Sequence, residues 1–107
     1  MFGGMGGDFM KQMKAAQEIA GRTKTLQDDL ANTLITGSTG PVEITMTATQ
    51  SPKSVALKED YSSMSKEELE KAITGALIDS HDRAVRMAEE KMKALYTEFG
   101  IAMPPPQ

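Results

Sequence analysis

Val42-Glu43-Ile44-Thr45-Met46-Thr47-Ala48 alternates strictly between apolar and polar side chains. A period of two places Val42, Ile44, Met46 and Ala48 on one face of a β-strand and Glu43, Thr45 and Thr47 on the other. Upstream, residues 33 to 36 are β-branched around Leu34, and Gly37-Ser38-Thr39-Gly40-Pro41 follows, a turn-rich stretch that suits an unusually long hairpin connection. Downstream, Thr49-Gln50-Ser51-Pro52 turns the chain into residues 53 to 58, where Val55 and Leu57 share a face. The expectation is three consecutive antiparallel strands.

Helical periodicity flanks this centre on both sides. From Asp8 to about Leu34, the positions Phe9, Met13, Ala16, Ile19 or Ala20, Leu26 and Leu30 recur at steps of three, four or seven, and Asp8 suits an N-cap. Ser65-Lys66-Glu67-Glu68 fits a capping box, so a second helix starts there. Leu69, Ile73, Ala76 or Leu77, Ala84, Met87 or Ala88, Met92 and Leu95 carry its period to Phe99, where Gly100 is a suitable stop. Gly75 costs roughly 1 kcal/mol against alanine inside a helix, which close packing against a neighbour would explain.

These elements make one α+β domain over residues 8–100, with an α-β-β-β-α order. Residues 1–7, MFGGMGG, read as a flexible Gly-rich arm, and residues 101–107 read as a Pro-rich tail. The arm lacks the Gly-Lys-Ser/Thr ending of a phosphate loop, so it gives no nucleotide site.

Composition bounds the function. The 107 residues contain no cysteine, which rules out disulfides and thiolate metal sites. No apolar run reaches the roughly 18 to 20 residues of a membrane span, and no signal peptide opens the chain, so a cytoplasmic protein without membrane insertion is expected. The one histidine, His81, sits between Ser80 and Asp82 near Asp79, where a solvated or partly packed helix position is the commoner reading. No nucleophile or donor cluster points to catalysis, a cofactor or a metal. The nine methionines, Met10, Met13, Met87 and Met92 among them, fit core or dimer-interface filling better than an adaptable binding surface.

A net charge of −3 argues against broad attraction to nucleic acid, so any basic surface must be local. Its candidates are Lys11, Lys14, Arg22 and Lys24 in the first helix and Arg83, Arg86, Lys91 and Lys93 in the second. Glu67 with Lys71, Asp79 with Arg83, Asp82 with Arg86, and Glu89 with Lys93 are acid-first pairs four apart, the orientation that supports a helix. Lys11, Lys14 and Lys91 follow no acid at that spacing and rank first.

The order of elements and motifs resembles the YbaB/EbfC family of nucleoid-associated proteins over nearly the whole chain. The resemblance lies in Met1-Phe2-Gly3, in Met10-Lys11-Gln12-Met13, in Thr36-Gly37-Ser38-Thr39-Gly40-Pro41-Val42-Glu43-Ile44-Thr45, and in the register of Leu69, Ile73, Ala76, Asp79, Ala84 and Glu90-Lys91-Met92. The sequence departs from the family pattern at Pro41 and Glu43. The resemblance implies a tweezer-like homodimer joined through its sheet region, without enzymatic activity, that binds duplex DNA with little sequence preference in the cytoplasm and nucleoid. The eight cations above are then the expected DNA-binding set. The alternative is a protein-interaction adaptor with a protein partner, such as a plastid stroma member of the family acting in thylakoid protein biogenesis.

A dimer also follows from lengths. A strand of seven or eight residues spans about 25 Å, whereas helices of 27 to 34 residues run about 40 to 50 Å and must overhang the sheet. Their apolar stripes would leave a patch that soluble monomers seldom expose. A second copy related by a two-fold axis is the simplest cover.

Overall fold

The computed structural model describes residues 2–58 and 62–100, with side chains from Phe9 onward. Its elements run α1 (Phe2–Ala31), β1 (Leu34–Thr39), β2 (Val42–Thr47), β3 (Pro52–Leu57) and α2 (Lys66–Glu98). This is the α-β-β-β-α order, with a three-stranded antiparallel sheet in the order β1-β2-β3. The overall shape is long and thin, 78 × 23 × 16 Å. The tail at residues 101–107 lies outside the described residues.

α1 ends at Ala31 rather than near Leu34, which opens β1 instead, and three further boundaries differ from the sequence expectation. First, α1 begins at Phe2, so the backbone of residues 2–7 is helical and Asp8 lies inside the helix. Each glycine there costs about 1 kcal/mol against alanine, but extending an existing helix gains a hydrogen bond per residue without a new nucleus. Second, β1 continues through Gly37, Ser38 and Thr39, and Thr39 pairs with Val42, which leaves Gly40-Pro41 as a two-residue loop. One residue with positive φ is enough for this tight connection, and Gly40 supplies it at 56°. Third, β3 starts at Pro52, because the first residue of an edge strand gives up no ladder bond by lacking an N–H.

The alternation along β2 sorts as expected from Val42 to Met46, with Val42, Ile44 and Met46 buried and Glu43 and Thr45 half-buried on the other face, while Thr47 at the strand end is buried with its hydroxyl 2.8 Å from that of Thr49. Ile35 and Gly37 of β1 join the buried face. Against it lies a stripe of small residues on α2, Ala72, Ala76, Ser80 and Ala84, which lets helix and sheet approach closely. A Cβ at Gly37 would stand 2.6 Å from Ser80 Cα and 2.8 Å from the Asp79 carbonyl carbon, so the backbones touch there. A Cβ at Gly75 would meet the Thr39 side chain, the close neighbour its mid-helix position called for. Leu30 closes the core from α1, with Leu26, Leu69 and Met87 packed at its margin.

The capping residues behave as their types predict. Ser65 Oγ accepts the Glu68 N–H at 3.1 Å, and Gly100, at φ 68°, ends α2. Among the described residues, the ion pairs at four-residue spacing are Asp79–Arg83 and the acid-second pair Lys66–Glu70. The expected Glu67–Lys71, Asp82–Arg86 and Glu89–Lys93 pairs do not close to 4 Å. Such exposed pairs contribute only about 0.2–0.5 kcal/mol, which side-chain entropy readily offsets.

Candidate functional site

The eight sequence-predicted cations all lie on α1 and α2 with exposed side chains, Lys11 beside Lys14 on α1 and Arg83 beside Arg86 next to β1. Arg22 is committed across the two helices. Its two terminal nitrogens donate to Glu98 Oε1 and Oε2 at 2.9 and 2.6 Å, and its guanidinium carbon lies 5.7 Å from the Phe99 ring centre. The hydrogen bond to Glu98 raises the Arg22 pKa, and the same bond holds the Glu98 carboxyl below the usual carboxylate range. No sequence signal marks this pair, since its members are 76 positions apart.

Arg83 is held by its own helix, its Nε donating to Asp79 Oδ1 at 3.1 Å. The other oxygen of Asp79 accepts the Ser38 N–H at 3.0 Å, so one carboxylate ties β1 to α2 and orients an arginine. That backbone hydrogen bond first, and Arg83 second, hold Asp79 below its ordinary pKa.

The remaining six cations, Lys11, Lys14, Lys24, Arg86, Lys91 and Lys93, have no carboxylate within 4 Å among the described residues. Lys11 and Lys14 stand with Met10, Met13 and Gln17 along an exposed length of α1. Met10 and Met13 are 70% and 46% exposed on the single chain, so of the two expected roles, core or dimer-interface filling, the core is not theirs. They lie on a part of α1 that precedes Arg22, the point where the end of α2 meets it, whereas Met87 does pack against the core.

Lys58, outside the predicted set, is tied to Glu43 at 2.8 Å, which balances the acid on β2. His81 Nε2 stands 3.1 Å from Gln50 Oε1 and His81 Nδ1 3.7 Å from Asp82, the surroundings of a partly packed helix histidine. Among the described residues no cluster of histidine and acidic side chains could hold a metal, and no helix is long and apolar enough to cross a membrane.

An apolar surface accompanies these charges. Val55 and Leu57 of β3 pair with the buried Ile44 and Val42 and therefore point to the same face of the sheet. Yet α2 lies over β1 and β2, and every residue of β3 is exposed. On α2, Gly75 and Asp79 face β1, which turns Ile73 and Leu77 toward the β3 side, where both remain exposed.

Comparison with known proteins gives a consistent picture. The YbaB/EbfC DNA-binding family matches residues 5–99. Proteins named nucleoid-associated protein in two strains of Coxiella burnetii, Dugway and RSA 331, are each 33% identical over 96 residues, covering 88% of this chain and 84% of theirs. Both are bacterial and lend nothing to the plastid alternative. The crystal structure of an uncharacterized Helicobacter pylori protein, HP0035, shares the fold with a TM-score of 0.65 at 16% identity, covering 85% of this chain and 95% of that one.

Proposed function

Because this chain belongs to the YbaB/EbfC DNA-binding family, we propose that it is a non-enzymatic nucleoid protein that binds duplex DNA as a homodimer, mainly through the phosphate backbone and with little sequence preference. The observation that carries this reading is the family match over residues 5–99 together with relatives named nucleoid-associated. The geometry agrees with it, since six exposed cations on the two helices carry no ion-pair partner among the described residues. Unpaired cations along two helices suit backbone contact, which needs charge at intervals rather than an ordered set of donors aimed at base edges.

The homodimer is supported by the uncovered face of β3. Val55, Leu57, Ile73 and Leu77 are all exposed on that side, and the same surface of a second copy covers them under two-fold symmetry.

Fluorescence anisotropy with labelled duplexes of unrelated sequence tests the DNA reading. Contact through four to six cations gives a slope of log K on log salt of roughly −4 to −5, alike for each duplex. No binding at low salt, or binding indifferent to salt, would sink it.

A second reading rests on Phe9, Met10 and Met13, exposed on α1 beyond the end of α2. That face suits a protein partner, and the chain then acts as an adaptor. A partner retained from lysate after complete nuclease digestion supports the adaptor, and one released with the nucleic acid supports the DNA reading.

A further inference from the structure

As the first strand of the sheet, β1 has one open edge, and every second N–H points out of it. The hairpin closes on the Thr39–Val42 pair, which turns the amides of Thr39, Gly37 and Ile35 toward β2 and those of Ser38, Thr36 and Leu34 outward. Ser38 fixes the phase, because its N–H donates outward to Asp79.

Asp79 and the backbone contact between Gly37 and Ser80 close the hairpin end of this edge. What stays open is the stretch from Leu34 to Thr36, which lines a cleft of about 320 Å³ together with Arg83, Arg86 and Glu90. Three residues fall short of the five or six of a typical strand, so the opening suits a small anionic group better than an added peptide strand. The donors suit an oxyanion. Arg83 gives only its Nε to Asp79 and keeps its two terminal nitrogens, and Arg86 has no carboxylate within 4 Å among the described residues.

We propose that this notch holds a backbone phosphate of duplex DNA, with Arg86 and Arg83 supplying charge and the outward Thr36 N–H a directional hydrogen bond. The inference rests on the DNA reading above and assigns that reading a place on the molecule. Glu90, on the same wall, repels the phosphate and limits the affinity.

The test combines anisotropy over a salt series with amide NMR spectra of the full chain. Duplex DNA should move the Thr36 amide, Arg86→Gln should flatten the salt slope by about 0.9 for each phosphate it leaves unneutralised, and Glu90→Gln should tighten binding at low salt. A Thr36 amide unmoved by DNA, with wild-type slope in Arg86→Gln, overturns the notch and leaves the DNA reading standing. No binding of any duplex at low salt overturns both. Inorganic phosphate at matched ionic strength is the second arm. If it moves Thr36 as far as DNA does, and Arg86→Gln leaves DNA affinity unchanged, the notch takes a free anion and the proposal fails.

Discussion

Ser38 and Asp79, 41 positions apart, are joined by a 3.0 Å hydrogen bond from the Ser38 N–H to the Asp79 carboxylate, and Arg83 donates to the other oxygen of the same group at 3.1 Å. Both donors favour the ionised form, so the folded chain holds Asp79 below its unperturbed 3.8. A depressed folded value contributes stability that is fully present above the unfolded value and is lost as pH falls through the folded one. Thermal unfolding should therefore become easier below about pH 4, and Asp79→Asn should flatten that part of the stability curve. Parallel wild-type and Asp79→Asn curves from about pH 2.5 to 6 would assign the acid destabilisation to other carboxylates.

Two glycines against α2 separate backbone contact from side-chain contact. At Gly37 a Cβ would strike the Ser80 backbone, which cannot move without shifting the helix. Gly37→Ala should cost about 2–3 kcal/mol and lower the melting temperature by roughly 10–20 °C. At Gly75 the obstacle is the side chain of the exposed Thr39. Rotation of Thr39 and the better helix propensity of alanine should keep Gly75→Ala within about 1 kcal/mol of wild type. Equal melting temperatures for the two variants would contradict the distinction.

The same two glycines mark how far the sequence reading reaches. Alternation along β2, the Ser65 cap and the Gly100 stop follow from local chemistry, and each stands where its residue type puts it. Gly75 invites a packing explanation because glycine inside a helical period is unfavourable without one. Gly37 has the composition of a turn residue, and only the crossing of α2 makes it a strand residue. The cations are legible as types and not as an arrangement, since the Arg22–Glu98 pair and the Ser38–Asp79–Arg83 chain join residues distant in sequence. The uncovered face of β3 is equally hidden, because alternation shows which residues share a face and not which strand the helix covers.

Arg22 should differ from the unpaired cations in its effect on DNA. While it holds Glu98 with two hydrogen bonds it has few donors left for a phosphate. Arg22→Gln should therefore leave duplex affinity nearly unchanged, whereas Glu98→Gln should release the guanidinium and strengthen binding at low salt. Glu98→Gln should also speed amide exchange in the part of α1 around Arg22, because the tie between the helices is removed. Faster exchange without a gain in affinity would leave the pair with a purely structural role.

The proposed dimer surface over β3 can be tested by mutation, with a control at the opposite edge of the sheet. Val55 is 59% exposed on β3 although its pairing partner Ile44 is buried, and Leu77 is 49% exposed on the flank of α2 that faces the same side. Burying such side chains contributes roughly 25 cal/mol per Å² of apolar surface, and two-fold symmetry buries each of them once on either subunit. A charge at either position would have to enter that apolar surface unpaired, which is strongly unfavourable. Val55→Lys and Leu77→Lys should each shift the mass by light scattering toward the 11.6 kDa of one chain, while wild type stays near twice that value. Leu34 is exposed to a similar degree, at 62%, but stands on β1. Leu34→Lys should leave the dimer intact, because the surface that needs covering lies over β3. A monomeric wild type at micromolar concentration would refute the dimer, and a monomeric Leu34→Lys beside a dimeric Val55→Lys would move the interface to the other edge.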